Sequence, residues 1–259
     1  MIRFCSLGSG SSGNATLVEG RGGITASRVL VDCGFTQREL NARLARAGLA
    51  ADDLDALFIT HEHGDHIGCA VGFARRHHIP VYMSRGTWRA VGEPELPDLL
   101  HFARDGEPIA VGDLQLAPYT VPHDAQEPLQ LCFSDGADRL GVLTDAGVAT
   151  EHLLAQLRGC AALLLECNHD RAMLAASRYP ASLKSRIGGR LGHLSNDTAA
   201  QILAACLHGK LRHVVAAHLS RENNRPELAL AALAAVAGVD RCELRAAGPD
   251  WGFDWIALG

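Results

Sequence analysis

The sequence predicts an α/β fold in which two mixed β-sheets are flanked by helices. Apolar runs of strand length recur along the whole chain, and several lie close enough together to form hairpins. Single helical patterns lie between these clusters, which differs from the strict strand–helix alternation of a doubly wound sheet. The 259 residues contain no internal repeat and no low-complexity linker. We therefore expect residues 1–259 to form a single domain.

The strand predictions depend on short apolar runs. These runs are residues 2–7, 15–18, 28–32, 57–60, 81–83, 109–121, 129–133, 140–144, 161–166, 213–217, 242–246 and 254–258. Helices are predicted over residues 37–47, 151–157, 196–207 and 226–236, where apolar residues recur three or four positions apart. Pro226 suits the first turn of the last helix, and Ser195 suits the N-cap of the helix before it.

The composition is that of a soluble globular protein, with 47% hydrophobic and 20% charged residues. It excludes disordered, collagen-like and coiled-coil classes. No secretory signal is evident, and the longest nearly apolar run, residues 228–239, is too short to span a bilayer, so no membrane partner is expected. The eight cysteines are scattered without a CxxC pair, which predicts reduced thiols in a cytoplasmic protein. The sequence carries no indication of oligomeric state.

The most informative segment is T-H-E-H-G-D-H at residues 60–66, directly after a predicted strand. A lone histidine is most often a surface or hydrogen-bonded core residue. Here His61, His63, Asp65 and His66 lie within six residues, and their lone pairs can converge on a cation. The segment therefore predicts a metal site.

One loop cannot complete a coordination sphere, so further ligands are expected at the ends of later strands. His123, Asp145 and His218 each follow an apolar run. A polar residue at a strand end can equally be a turn former, and each of the three alone fits that simpler interpretation.

Together, the motif and these three residues resemble the metallo-β-lactamase superfamily along the whole chain. Residues 6–14 (SLGSGSSGN), 166–170 (ECNHD) and 179–196 (from Tyr-Pro to Gly-His-Leu-Ser-Asn) are similar to its YycJ-like (WalJ) branch. That branch is grouped with ribonuclease Z and the PhnP-type phosphodiesterases. The resemblance implies a four-layer αββα sandwich, the metallo-β-lactamase fold, with a metal site at one edge.

The resemblance also implies two divalent metal ions per chain. It assigns His61, His63 and His123 to the first metal, Asp65, His66 and His218 to the second, and Asp145 to a bridging position between them. Asp32 matches an early aspartate that orients the metal loop, and Asp65 is assigned a catalytic role as well. Five imidazoles and two carboxylates suit Zn²⁺, Mn²⁺ or Fe²⁺. Two such ions can generate a bridging hydroxide that attacks a phosphodiester.

His193 is the candidate general acid. It precedes Ser195, the predicted N-cap of a helix whose N–H groups are able to hold a phosphate. In related phosphodiesterases the histidine at this point donates a proton to the leaving group. The alternative is a hydrogen-bonding role away from the substrate.

Substrate contacts are predicted in three segments. The glycine-rich loop 9–14 can cradle a phosphate, although most such turns only reverse the chain. His169 either contacts substrate or holds its own loop together. Residues 171–190 contain five basic and no acidic residues, which indicates phosphate contact at least as much as a solvated face. The candidates are Ser9, Ser11, Ser12, Asn14, Asn168, His169, Lys184, Arg186, Ser195 and Asn196.

The function implied is a dinuclear phosphodiesterase that acts on nucleic acid, in particular on DNA ends as a 5′-to-3′ exonuclease. The net charge of −5 argues against a polyanionic partner, but segment 171–190 is locally positive. One alternative is a small-molecule hydrolase, either a cyclic or nucleotide phosphodiesterase or a thioester hydrolase similar to glyoxalase II. The strand-like C-terminus argues against the helical domain of glyoxalase II. A second alternative, an inactive metal-binding scaffold, is disfavoured by the complete ligand set.

Overall fold

The computed structural model describes residues 1–237 and 242–259. Over these residues, two seven-stranded sheets pack face to face, and helices cover both outer faces. The predicted αββα sandwich is therefore confirmed. Residues 238 and 239, which end the long apolar run, lie outside the described residues.

The first sheet has the order β14-β1-β2-β3-β4-β5-β6. Its strands are β1 (Ile2–Gly8), β2 (Ala15–Gly22), β3 (Thr25–Val31), β4 (Ala56–Ile59), β5 (Val81–Met83), β6 (Leu100–Phe102) and β14 (Phe253–Leu258). Pairing is antiparallel from β14 to β3 and parallel from β3 to β6.

The second sheet has the order β13-β12-β11-β10-β9-β8-β7. Its strands are β7 (Ile109–Val111), β8 (Leu114–Thr120), β9 (Leu129–Ser134), β10 (Arg139–Leu143), β11 (Ala162–Glu166), β12 (His213–Ala217) and β13 (Glu243–Ala246). Pairing is antiparallel from β7 to β10 and parallel from β10 to β13. The parallel strands of each sheet thus end at a common edge.

The helices are α1 (Gln37–Arg46), α2 (Gly64–Ile67), α3 (Ala70–His77), α4 (Arg85–Ala90), α5 (Glu151–Leu157), α6 (Arg171–Ala176), α7 (Ala181–Ile187), α8 (Asn196–Cys206) and α9 (Pro226–Ala237), with a 3₁₀ turn at Ala51–Asp53. Helices α1, α3 and α4 pack on the first sheet, and α5, α8 and α9 pack on the second. Ser195 caps α8 as predicted, because its side chain accepts a hydrogen bond from the amide of Thr198. None of the described helices is long and apolar enough to cross a bilayer.

Strand β4 shows how a single run of apolar residues builds two cores. Ala56 and Phe58 face the second sheet, whereas Leu57 and Ile59 face the helices. Successive side chains of a strand point to opposite faces, and both faces of this sheet are covered. A continuous apolar run, without alternating polar residues, therefore correctly predicts this strand.

The prediction of one strand over residues 109–121 was wrong. Gly112 adopts a φ of 51°, and Val111 pairs with Leu114 across the turn, so the run folds into the β7–β8 hairpin. The Gly-Asp pair at 112–113 is typical of such a two-residue turn, and the apolar residues around it concealed that signal. Strand β6 and the short helices α2, α4, α6 and α7 lay outside the predicted elements.

Candidate metal centre

The carboxyl ends of strands from both sheets bring polar residues to one place. Asp32 follows β3, His61 lies two residues after β4, and Asp145 and His218 follow β10 and β12. His123 lies three residues after β8, which runs in the same direction as β10. Three of these residues, Asp32, Asp145 and His218, have φ values of 63°, 53° and 55°. Left-handed backbone costs about 1–3 kcal/mol at a non-glycine residue, and such strain is typical of functional sites.

Three imidazoles form the first ligand group. Nδ1 of His63 lies 3.1 Å from Nε2 of His61 and 3.2 Å from Nε2 of His123. Nδ1 of His123 donates to the carbonyl of Gly192 at 3.0 Å, so Nε2 of the neutral ring keeps a bare lone pair. Nitrogens bound to one tetrahedral Zn²⁺ are about 3.3 Å apart, given metal–nitrogen distances of about 2.0–2.1 Å. The spacing of this group therefore fits a shared cation.

His66 begins the second ligand group. Its Nδ1 lies 2.7 Å from Oδ2 of Asp32, and its Nε2 lies 2.6 Å from Oδ2 of Asp145. Burial opposes a charged ring, but the carboxylates of Asp145 and Asp32 raise the pKa of His66 well above its usual value. Oδ2 of Asp145 is nevertheless buried and accepts no hydrogen bond from the described residues. A buried carboxylate oxygen facing an imidazole nitrogen is the arrangement that a bound cation satisfies.

Asp65 and His218 complete this second group. Oδ2 of Asp65 lies 3.4 Å from Nε2 of His218 and 3.6 Å from Nε2 of His66. Burial would raise the pKa of Asp65, but hydrogen bonding to His218 and the charge of His66 lower it. One carboxylate and two ring nitrogens thus converge within 4.8 Å of one another.

Asp145 lies between the two groups. Its Oδ2 is 2.6 Å from Nε2 of His66 and 4.0 Å from Nε2 of His61, and its Oδ1 is 3.1 Å from Nδ1 of His218. This carboxylate therefore lies within 4.0 Å of ring nitrogens in both groups. Burial and the neighbouring ring of His66 lower the pKa of His61, which favours the neutral, ligating form.

The predicted supporting residue Asp32 holds the metal loop. Its carboxylate accepts hydrogen bonds from the amide and the hydroxyl of Thr60 at 2.9–3.0 Å, in addition to its contact with His66. Carboxylates that bind the second nitrogen of a ligating histidine fix the tautomer of the ring.

In the predicted phosphate loop, the side chains of two residues point toward candidate metal ligands and not toward open space. Oγ of Ser9 accepts a hydrogen bond from the amide of His218 at 2.8 Å. Nδ2 of Asn14 lies 3.2 Å from the carbonyl oxygen of Asp65 and 3.2 Å from Nε2 of His66. Both side chains are buried, so their contacts orient the ligand loops.

A cavity of about 350 Å³, here called the metal cavity, opens in front of these ligands. Its lining includes His63, Asp65, Asp145, His218, His193, Ser11 and Arg186. Ser12 is exposed beside this lining, and its Oγ lies 3.4 Å from a guanidinium nitrogen of Arg221. Ser11 and Arg186 are therefore the predicted substrate contacts that the fold brings to the metal cavity.

His193 lies beside the ligands with one face toward the metal cavity. Its Nδ1 is 2.8 Å from Oε1 of Glu166 and 2.9 Å from Oδ1 of Asp145. Burial opposes protonation, but these carboxylates raise the pKa of His193 well above its usual value. Nε2 makes no hydrogen bond to the described residues, and a quarter of the side chain is exposed (24%). A proton on Nε2 is thus available to a substrate.

Glu166 is a site residue that the sequence reasoning missed. It is the last residue of β11 and is completely buried. Besides His193, its Oε1 lies 3.3 Å from Nδ1 of His218. The rule that selected Asp145, a polar residue at the end of an apolar strand, would have found it.

Asp124 was also missed, although it follows His123 directly. Its Oδ1 lies 3.4 Å from Nε2 of His123, and its Oδ2 accepts a hydrogen bond from Nε of Arg186 at 2.6 Å. Burial would raise the pKa of Asp124, but the bond from Arg186 lowers it. This carboxylate links a basic side chain of segment 171–190 to the ligand group.

The buried amides Asn168 and Asn196 have structural contacts. Nδ2 of Asn168 donates to the carbonyl of His218 at 3.0 Å, and Asn196 exchanges two hydrogen bonds of 2.9 Å with Asn224. Neither residue lines the metal cavity. The remaining candidates, His169, Lys184 and Ser195, lie together at a second cavity.

Residues 8–185 match the model of the metallo-beta-lactamase superfamily. The chain is 34% identical over 231 residues to the exodeoxyribonuclease YycJ of Bacillus anthracis, covering 88% of this chain and 86% of that protein. It is 32% identical over 233 residues to the exodeoxyribonuclease WalJ of Streptococcus pneumoniae strain D39, covering 88% and 85%. The solved structure of the metallo-beta-lactamase fold protein YhfI from Bacillus subtilis has a TM-score of 0.75 at 16% identity, covering 99% of this chain and 100% of that one.

Proposed function

The chain belongs to the metallo-beta-lactamase superfamily, as its motifs predicted, and we propose that it is a dinuclear phosphodiesterase that degrades DNA from its ends. It is a metal-dependent hydrolase. The observation that carries the proposal is the buried carboxylate of Asp145, whose Oδ2 lies 4.0 Å from Nε2 of His61 and 2.6 Å from Nε2 of His66, one ring from each proposed ligand group. Two relatives named exodeoxyribonucleases support DNA as the substrate over a small molecule.

The proposed ligands divide as the resemblance implied. His61, His63 and His123 would hold one divalent cation, and Asp65, His66 and His218 would hold a second. The carboxylate of Asp145 lies against ring nitrogens of both groups and would supply a further oxygen ligand. Zinc or manganese suits this nitrogen and oxygen donor set. When bound, two such cations supply an activated water and neutralise the charge of the phosphoryl oxygens.

His193 acts as the general acid in this proposal. Its Nδ1 faces the carboxylates of Glu166 and Asp145, so the proton on Nε2 is the one that is given to the leaving oxygen of a diester in the metal cavity. Asp65 is assigned a catalytic role as well, because it belongs to the second ligand group and also lines the metal cavity.

Arg186 and Ser11 are the proposed phosphate contacts of the metal cavity. Arg186 remains paired with Asp124 at 2.6 Å, and more than half of its side chain is exposed. A phosphate can therefore approach the guanidinium without displacing a buried group, and guanidinium–phosphate pairs are strong and directional.

We also propose one domain and a cytoplasmic location. The two sheets share a single apolar layer, so neither sheet is covered without the other. All eight cysteines are free thiols, and six of them are buried, which suits a reducing compartment.

A substrate comparison tests the proposed function. The purified protein is assayed with Mn²⁺ or Zn²⁺ on 5′-phosphorylated DNA, RNA, cyclic nucleotides and S-lactoylglutathione. We expect release of nucleotides from DNA in at least one metal and a slower or absent reaction with the other substrates. Faster turnover of cyclic nucleotides or of the thioester than of DNA would establish the small-molecule alternative instead.

A further inference from the structure

A second cavity lies on the other side of His193. It has a volume of about 540 Å³, and its wall includes His169, Arg171, Lys184 and Ser195. His193 lines both this cavity and the metal cavity, so its ring forms part of the wall between them. We call this space the leaving-side cavity, because it adjoins the metal cavity across the ring that is proposed to protonate the leaving group.

The leaving-side cavity is suited to an anion. Its lining contains the cationic side chains of Arg171 and Lys184, and none of the described lining residues is acidic. Ser195 marks the N-terminus of α8, an 11-residue helix whose first amides carry partial positive charge. Nζ of Lys184 is held by the carbonyl of Ala175 at 2.6 Å, which keeps the ammonium group at the cavity.

His169 provides an independent indication of a ligand. Its side chain is almost completely buried (3% exposed), and it lines the leaving-side cavity. Nδ1 is buried without a partner, and neither ring nitrogen hydrogen-bonds to another described residue. Buried polar groups in native proteins are nearly always paired, and an unpaired one calls for a ligand or an ordered water.

Arg171 is the side chain that an incoming anion would engage most easily. Its Nε lies 3.1 Å from Oγ of Ser195 and 3.3 Å from Oδ2 of Asp197. Asp197 is well exposed, and exposed ion pairs are worth little. A phosphate can therefore replace this carboxylate at small cost.

We infer that the leaving-side cavity binds the phosphate that neighbours the scissile one on the leaving-group side of the substrate. The inference rests on the proposed function and on the 5′-to-3′ polarity that the family resemblance implies. A water oxygen bonds to the scissile phosphorus, the bond from phosphorus to O3′ breaks, and O3′ takes the proton from Nε2 of His193. A proton of the attacking water passes to solvent, from which His193 is reprotonated. The released group is then the 5′-terminal nucleotide of the strand. The phosphate that the leaving-side cavity binds is therefore the 5′-phosphate of that nucleotide.

The test compares single-stranded oligodeoxynucleotides that carry either a 5′-phosphate or a 5′-hydroxyl. The metal-loaded protein should cleave the phosphorylated strand with a kcat/KM at least roughly tenfold higher, since one charge-assisted contact is worth about that factor. In the double variant Arg171→Ala with Lys184→Ala, the ratio should fall close to one. Arg178→Ala is the matched control, because Arg178 is exposed in the same basic segment but lines neither cavity. It should keep the wild-type ratio.

A second variant tests the cavity without removing charge. A Cβ at Gly188, in the wall of the leaving-side cavity, meets its nearest atoms at 3.5 and 3.6 Å, so a side chain fits there without backbone strain. Gly188→Leu should abolish the preference for the 5′-phosphate by occupying the cavity.

Bis(p-nitrophenyl) phosphate has no second phosphate, so its hydrolysis tests the proposed function without testing the cavity inference. A wild-type protein that hydrolyses neither this diester nor DNA overturns the proposed function and the cavity inference together. A wild-type protein that hydrolyses both but cleaves 5′-phosphate and 5′-hydroxyl strands equally, or prefers a 3′-phosphate, overturns the cavity inference alone. Retention of the wild-type ratio in both the double variant and Gly188→Leu would also overturn it.

Discussion

The carboxylate of Glu166 lies 2.8 Å from Nδ1 of His193 and holds the imidazole beside the metal cavity. The carboxylate itself is fixed, because its other oxygen accepts hydrogen bonds from the amides of Ala146 and Leu194 at 2.9 and 3.2 Å. Since Glu166 is buried at the end of a central strand, the direction of the His193 ring is determined by the sheet.

We predict that Glu166→Gln lowers kcat about 10- to 100-fold at saturating metal, the usual cost of losing a supporting contact. An amide has one acceptor oxygen, whereas Glu166 uses both of its oxygens as acceptors, so the ring of His193 loses its orientation. Steady-state kinetics on DNA measures the effect, with KM expected to change little. Glu151→Gln, at an exposed position of α5, is the control and should match the wild type. An unchanged kcat for Glu166→Gln would exclude the positioning role.

We predict that His193→Ala keeps its metal but loses about 10²- to 10⁴-fold in DNA cleavage, the range for general acid catalysis. The loss should be much smaller for bis(p-nitrophenyl) phosphate, because p-nitrophenolate departs without protonation whereas a sugar alkoxide does not. Metal content from elemental analysis accompanies both assays. Equal losses on the two substrates would contradict proton donation by His193, and loss of metal would make it a ligand.

From the two ligand groups we predict both the number of bound metal ions and a dependence of thermal stability on them. Elemental analysis of protein purified without chelator should find about two transition metal ions per chain. His63→Ala and His218→Ala should each bind fewer, whereas the exposed His152→Ala should match the wild type. A strong chelator should lower Tm by roughly 10 °C, because ions bound far above their Kd stabilise by several kcal/mol, and restoring metal should reverse the shift. A wild-type protein without near-stoichiometric metal would rule out the site.

We predict that the metal loop requires a residue without a side chain at position 34. A Cβ at this position would meet the carbonyl oxygen of Asp65 at 1.8 Å, so Gly34→Ala must displace the loop that carries this ligand. We expect a loss of at least about 1–3 kcal/mol of stability together with weaker metal binding. Gly64→Ala is a control within the same loop, because no atom of the described residues lies within 4 Å of a Cβ there. Equal metal affinity in the two variants would show that the loop tolerates displacement.

Glu19 predicts acid sensitivity far from the metal centre. Burial would raise its pKa, but hydrogen bonds from Arg3, Arg21 and Arg28 lower it from 4.5 to about 2. The folded state therefore gains stability from the ionised carboxylate above about pH 5, and this gain is lost as the pH falls from 4.5 toward 2.

Glu19→Gln should accordingly destabilise the protein by about 2–3 kcal/mol at pH 7, since three partly exposed guanidinium groups lose their buried partner. Urea unfolding at a series of pH values should show the difference from the wild type shrinking below pH 4. The control is Glu107, which forms an exposed ion pair with Arg104. Glu107→Gln should change the free energy of unfolding little at any pH. A constant difference across the pH series would indicate that Glu19 acts through packing alone.

Regular elements of the fold were readable from local patterns. The helices predicted at 37–47, 151–157, 196–207 and 226–236 end within one residue of α1, α5, α8 and α9. Their periodic apolar residues face a single sheet, and that is the situation in which a 3.6-residue pattern is reliable. The β7–β8 hairpin was not readable in this way, because apolar residues flank the turn at Gly112 without interruption.

The candidate metal ligands could also be predicted from the sequence. Three histidines and one aspartate within residues 61–66 are an arrangement that metal binding explains. The roles of several predicted substrate contacts could not be predicted in this way. Ser9 and Asn14 have polar side chains after a strand, as a phosphate loop would, but the packing of that loop against His218 and Asp65 turns them toward the ligands.

By itself, the sequence determined the layered fold and the types of residue that gather at the strand ends, because both depend on local periodicity and on short motifs. Only the tertiary structure decided that Glu166 supports His193, and that His193 stands between two cavities. Those relationships join residues 27 positions apart and more. They depend on which strands become neighbours in the sheet, and strand pairing is set by the packing of the whole core, which no local pattern encodes.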